Sequence, residues 1–105
     1  MGTMMLSLCM VMPTALQMNK TQAKNVCKYE HIIVAEAKKN HIEPELLASV
    51  IYVESGFYAR VVSDANACGL TQVIPKWTGG RETERKKYTC KQLKNPRISI
   101  AVGAK

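Results

Sequence analysis

Pro44-Glu45-Leu46-Leu47-Ala48-Ser49-Val50-Ile51-Tyr52-Val53-Glu54-Ser55-Gly56, followed across a polar interval by Gly69-Leu70-Thr71-Gln72-Val73-Ile74-Pro75, is the stretch on which the fold is read. Leu47, Val50, Ile51 and Glu54 recur at spacings that share one side of a helix. Pro44 is tolerated at a first helical position, Glu45 complements the helix N-terminus, and Gly56 supplies the stop just past Ser55. Phe57 to Cys68 is a loop by composition, and Gly69 to Ile74 reads as a short helix closed by Pro75.

A carboxylate on an apolar helix face is unusual, because burying a charge without a partner is costly and favours the neutral, protonated form. The partial negative charge of a helix C-terminus acts in the same direction. Glu54 is therefore a candidate general acid. The competing reading is that Glu54 turns outward at a frayed helix end and is merely solvated.

Outward from this stretch, Thr21 to Asn40 is expected as an amphipathic helix. Val26, Ile32, Ile33 and Ala37 face inward with Tyr29 and Ala35 beside them, and Lys24, Lys28, Lys38 and Lys39 lie on the remaining surface. Asn40 to Glu43 is a polar turn. Lys76 to Lys87 is a polar, basic excursion containing Gly79 and Gly80. A short helical turn runs from Lys91 to Asn95, and Arg97 to Lys105 begins another helix with Ile98, Ala101, Val102 and Ala104 inward.

Residues 1–19 carry no charged side chain and contain all six methionines. The apolar core from Met4 to Met12 ends at Pro13. It lacks the basic n-region and small-x-small cleavage site of a secretory signal, Leu8 stands where a lipoprotein box needs a small residue, and the segment is too short to span a bilayer. A degenerate export signal and a hydrophobic arm that docks on a partner are both open. The expected organisation is a leader or docking arm over residues 1–19 and one domain over residues 20–105.

The chain has 105 residues and a formal net charge of +7, which favours an anionic partner. The basic residues are scattered and only 6% of residues are aromatic, without the interleaved Arg/Lys and stacking rings of a nucleic-acid groove, so specific nucleic-acid binding is not expected. Cys9, Cys27, Cys68 and Cys90 lack the paired spacing and accompanying histidines of a zinc site, so no metal is expected. In an oxidising compartment Cys68 with Cys90 is the first bridge to test, among the three connectivities that four cysteines allow.

Glu54-Ser55-Gly56 followed by Gly69-Leu70-Thr71-Gln72-Val73-Ile74-Pro75 resembles the catalytic core of the soluble lytic transglycosylases. That family's pattern is Glu-Ser, then Gly-Leu-Met-Gln, then a hydrophobic pair and proline. Ile42 to Val53, with Pro44, Leu46, Leu47 and Ala48, resembles the helix that leads into the family's glutamate. Leu93, Asn95, Pro96, Ile100 and Gly103 resemble its Asn-Pro, Ile, Gly segment. The resemblance covers about Val26 to Lys105. Thr71 stands where the family has methionine, and Ser99 where it has asparagine. The family also continues into a Tyr-Asn motif that this sequence does not contain.

The resemblance implies a mainly α, lysozyme-like helical domain, truncated before its last helices, that acts on peptidoglycan glycan strands without a cofactor. Glu54 would be the single acid/base that cleaves the MurNAc-β-1,4-GlcNAc bond and closes a 1,6-anhydro ring, with the substrate's N-acetyl group in place of a second carboxylate. Ser55 and Ser63 would orient the glutamate and the sugar, and Gln72 would supply an amide on the cleft floor. Gly69 would let the backbone approach the glycan, with Leu70 packed beneath. Asp64, the only Asp in the chain, is the candidate second carboxylate of a lysozyme-type hydrolase. Lys76, Arg81, Arg85, Lys86 and Lys87 flank the cleft in sequence and would meet the carboxylates of peptidoglycan. The implied setting is a phage virion or the periplasm, with virion or secretion-complex subunits as partners. The alternatives are a non-catalytic virion or envelope component that keeps the fold, and a basic helical nucleic-acid binder.

Overall fold

A computed structural model describes residues 7–78 and 88–105. Among them are five α-helices: α1 (Leu8–Ala15), α2 (Lys20–Lys39), α3 (Pro44–Ser55), α4 (Cys90–Leu93) and α5 (Pro96–Gly103), with a 3-10 turn at Pro75–Trp77. Among the described residues no helix is long and apolar enough to cross a membrane. Of the polar, basic excursion expected from Lys76 to Lys87, the part from Gly79 to Lys87 lies outside the described residues.

α2 is the central element, packed against α1, α3 and α5. Its start is fixed by a reciprocal capping box. Gln22 N donates to Asn19 Oδ1 at 2.8 Å and Asn19 N donates to Gln22 Oε1 at 3.1 Å, which satisfies two otherwise orphaned donors. Its end is closed without glycine: His41 adopts φ 57°, so that Ile42 N reaches Ala37 O at 2.8 Å. Ile42 then packs against the core. α1 ends by the same device, with Gln17 at φ 51° and Met18 N on Pro13 O at 2.9 Å.

The core gathers Val26, Ile33 and Ala37 of α2, Leu47, Ala48 and Ile51 of α3, and Ile100 of α5 around Phe57 and Leu70. Tyr29 and Ile32 complete the buried stripe of α2, while Ala35 is exposed. Burial pushes the Tyr29 phenol above its ordinary value.

From Ser7 onward the N-terminal segment docks on the chain's own α2. Leu8 and Met12 enter the core, Cys9 is bonded to Cys27, and Cys9 N donates to Glu30 Oε1 at 2.8 Å, where a carboxylate suits a helix N-terminus.

Two expectations are corrected. Gly69 to Ile74 is not a helix, because Gly69 at φ 83° and Gln72 at φ 52° leave the right-handed region, and Cys68 and Val73 instead pair as an isolated antiparallel bridge. On α5 the buried positions are Ser99 and Ile100, with Ile98, Ala101 and Val102 only half-buried, while Ala104, just past the helix, is buried as expected. The inward face is rotated because Ser99 finds polar partners in the core and need not face water.

Ile33 is fully buried at the meeting point of the helices. Ile33→Ala is expected to cost about 2–5 kcal/mol, because the lost transfer energy is joined by a cavity that the packed helices cannot close. Urea unfolding followed by far-UV circular dichroism measures it.

Candidate active site

Spacing alone puts Glu54 on the buried face of α3, and the structure turns it out. The buried stripe is Leu47, Ala48, Ile51 and Ser55, while Glu54 is exposed. Leu46, Val50 and Val53 are 58%, 41% and 79% exposed, and at i, i+4 and i+7 they form an apolar strip that runs up to the glutamate. Among the described residues no hydrogen bond or ion pair engages the Glu54 carboxylate. The shielding assumed for a general acid is therefore not supplied by this chain's described atoms.

Ser55 does not join the site. It lies four residues after Ile51, and its buried hydroxyl donates to Ile51 O at 3.0 Å, which satisfies it inside the helix. Beyond it Gly56 takes φ 63° and Phe57 φ 68°, two left-handed residues in succession that turn the chain sharply and plunge the Phe57 ring into the core. α2 holds this turn: Gln22 Nε2 donates to Gly56 O at 3.2 Å and Asn25 Nδ2 to Phe57 O at 2.8 Å. Asn19 Nδ2 adds a bond to the Tyr58 hydroxyl at 3.0 Å. Sequence reasoning missed Gln22 and Asn25. Their signal was two amides three residues apart beside the buried Val26.

The segment from Val61 to Val73 is a knot of short pairings around Cys68, which bridges Val62 on one side and Val73 on the other. Gly69 N donates to Val61 O at 2.9 Å, and Cys68 N to Val73 O at 2.9 Å. Cys68 is bonded to Cys90 at the start of α4, with Cα atoms 5.5 Å apart. Gln72 sits at the tip, and its Nε2 donates to both Val61 O and Gly69 O at 2.9 Å. Both amide hydrogens are thereby used, so Oε1 is the side-chain polar atom of Gln72 left to meet a ligand.

Ser63 is exposed, and its hydroxyl accepts from Ala67 N at 3.1 Å, a local turn cap rather than a contact to the glutamate. Asp64 is exposed in the same turn, and no hydrogen bond or ion pair joins it to Glu54. Leu70 is fully buried and packs beneath the knot. Gly69 is required by the fold: a Cβ there would collide with the Leu93 carbonyl and crowd Ser99 Oγ. The structure thus brings Gly69, Leu70 and Gln72 into one turn, and places Glu54 in the last turn of α3. Among the described residues no group of three or more His, Cys, Asp or Glu is placed to hold a metal ion.

Residues 31–105 match the transglycosylase SLT domain family. The chain belongs to this family. The SLT domain has a lysozyme-like, mainly α fold, and α3, the Cys68 knot, α4 and α5 all lie inside the matched span. Similar relatives include the endo-type membrane-bound lytic murein transglycosylase A of two Klebsiella pneumoniae strains, 37% identical over 68 residues. The match takes in 60% of this chain and 33% of each relative, so the chain spans only part of the length of these curated relatives. Gln22 and Asn25, which brace the turn after Glu54, fall before the matched SLT residues.

Gly69→Ala is expected to cost about 2 kcal/mol or more, since it adds left-handed strain to a collision with a backbone carbonyl that cannot rotate away. Thermal unfolding of the oxidised protein reads the loss.

Proposed function

We propose that this SLT domain is the catalytic part of a peptidoglycan lytic transglycosylase, with Glu54 as its single acid/base. The supporting observation is the placement of Glu54. It lies in the last turn of α3, within the family-matched span, and among the described residues no hydrogen bond or ion pair engages its carboxylate.

In this reading the protonated Glu54 gives its proton to the O4 of GlcNAc as the C1–O4 bond of MurNAc breaks. The carbonyl oxygen of the substrate's own N-acetyl group shares the positive charge that develops at C1. The Glu54 carboxylate then takes the proton of the C6 hydroxyl, whose oxygen attacks C1 and closes the 1,6-anhydro ring. The acid is regenerated, and no water is consumed. Bound glycan laid along Leu46, Val50 and Val53 would exclude solvent from Glu54 and favour the neutral acid that the first step needs. Gln72 Oε1 is the acceptor for a donor on the sugar.

The two disulfides fit an oxidising compartment, in keeping with the periplasm or the exterior of a phage virion. The task we propose is local opening of the wall, during phage genome entry or assembly of a secretion machine. Virion or secretion-complex subunits would be its partners, and Lys76 and the basic residues after it would meet the peptide carboxylates of the wall. A second reading is favoured by the outward position of Glu54: a non-catalytic envelope or virion component that binds glycan on the same face.

Glu54→Gln is expected to lower release of anhydro-muropeptides from purified sacculi by at least about 100-fold while circular dichroism is unchanged. Asp64→Asn is expected to leave release near wild type. Products that carry a reducing MurNAc end, lost with Asp64→Asn, would make the enzyme a hydrolase. A folded wild type that binds sacculi and releases nothing would favour the non-catalytic component.

A further inference from the structure

The two hydroxyl residues Thr71 and Ser99 meet in the core, 28 positions apart in sequence, and both are buried. Thr71 N donates to Ser99 Oγ at 3.1 Å, and Thr71 Oγ1 donates to Ser99 O at 2.7 Å. The hydroxyl oxygens lie 3.0 Å apart. Since the Thr71 proton is spent on the Ser99 carbonyl, the Ser99 hydroxyl must be the donor in that third contact. The result is a closed ring of three hydrogen bonds with every proton used, and no buried side-chain polar atom of the described residues is left unsatisfied.

We propose that Thr71 and Ser99 are a positioning pair for Gln72, which makes its side-chain amide a fixed acceptor toward the glycan; the glycan half of this rests on the function proposed above. Thr71 directly precedes Gln72, so clamping its backbone N–H and its side chain to α5 sets where the Gln72 backbone begins. Gln72 itself is held in a left-handed conformation at φ 52° that a non-glycine residue adopts only when its surroundings enforce it. Its two amide hydrogens are anchored on Val61 O and Gly69 O. The surrounding space leaves little slack: a Cβ at Gly103 would run into the Thr71 side chain, and one at Gly69 would crowd Ser99 Oγ. If the ring opens, Thr71 N–H loses a buried acceptor, and the turn can relax only by moving its tip, which carries Gln72.

The test uses the full oxidised chain and four variants: Thr71→Val, which keeps the shape and removes the hydroxyl; Ser99→Ala; their double; and Thr71→Ser, which keeps the ring. Two-dimensional ¹⁵N NMR follows the Gln72 side-chain NH2 resonances well below the unfolding temperature, and titration with an N-acetylglucosamine tetrasaccharide gives affinity. Thr71→Val and Ser99→Ala are expected to move the Gln72 side-chain resonances and weaken saccharide binding about tenfold each. The double is expected to do little worse than either single, and Thr71→Ser should restore both readouts. A pair with a purely structural role would lower the unfolding temperature and leave the Gln72 resonances in place, and that result overturns the proposal. Gln72 resonances that move in the variants, while the wild type shows no saccharide affinity, would uphold the positioning role and count against the glycan reading instead.

Discussion

The fold after α3 depends on Cys68. It is fully buried, its backbone bridges Val62 on one side and Val73 on the other, and its sulfur is bonded to Cys90. A residue held in three directions leaves its neighbours few conformations. Gly69 is forced under the Leu93 carbonyl, where only a residue without Cβ fits, and the next residue, Leu70, is driven into the core. Closing a loop of this length by a covalent bond removes on the order of 3 kcal/mol of denatured-state entropy. Here that constraint replaces the hydrogen-bond ladder of a regular element, since the knot contains only isolated bridges.

The knot and the end of α3 solve opposite problems. In the knot the polar side chains are consumed by the chain itself, as with Ser63 on Ala67 N, Gln72 Nε2 on two carbonyls, and Thr71 with Ser99. This satisfaction makes the turn stiff and leaves the Gln72 side chain its oxygen as acceptor. Glu54 is handled the other way. The backbone around it is fixed by Gln22 and Asn25 from α2, but its carboxylate is left open beside an apolar strip. In the function proposed above, a ligand that covers this face would change the surroundings of Glu54 more than those of the knot, so binding energy could be directed to the step that needs a proton.

The sequence made the long helices legible because their signals are local. The apolar spacing along Thr21 to Asn40, Pro44 at a first position and Gly56 at a stop are all short-range signals, and α2 and α3 begin and end near where they put them. The inward faces were less legible. Glu54 and Val50 share the spacing of Leu47 and Ile51, and spacing cannot say which flank of a stripe is covered by a neighbour. The turn from Gly69 to Gln72 was misread as helix for a different reason: Gln72 has no intrinsic preference for a positive φ, and the bonds that impose it come from Val61 and, through Thr71, from α5. The helix at Leu8–Ala15 was obscured by its leader-like composition, since the features that dock it, Glu30 and Cys27, lie in α2.

The same contrast explains the two departures from the transglycosylase pattern. Considered one position at a time, Thr71 in place of methionine and Ser99 in place of asparagine look like independent losses, one of apolar volume and one of an amide. In the folded chain they are a single interaction. The Thr71 hydroxyl donates to the Ser99 carbonyl, the Ser99 hydroxyl accepts from the Thr71 N–H, and the two hydroxyls meet each other at 3.0 Å, which is the bond that couples the two side chains. Either residue alone would leave a buried polar group unpaired, at a cost of about 1–3 kcal/mol. Together they leave none. A motif read along one dimension therefore registers two deviations, where the physical constraint acting across α5 and the turn sees one requirement: that the backbone before Gln72 be held.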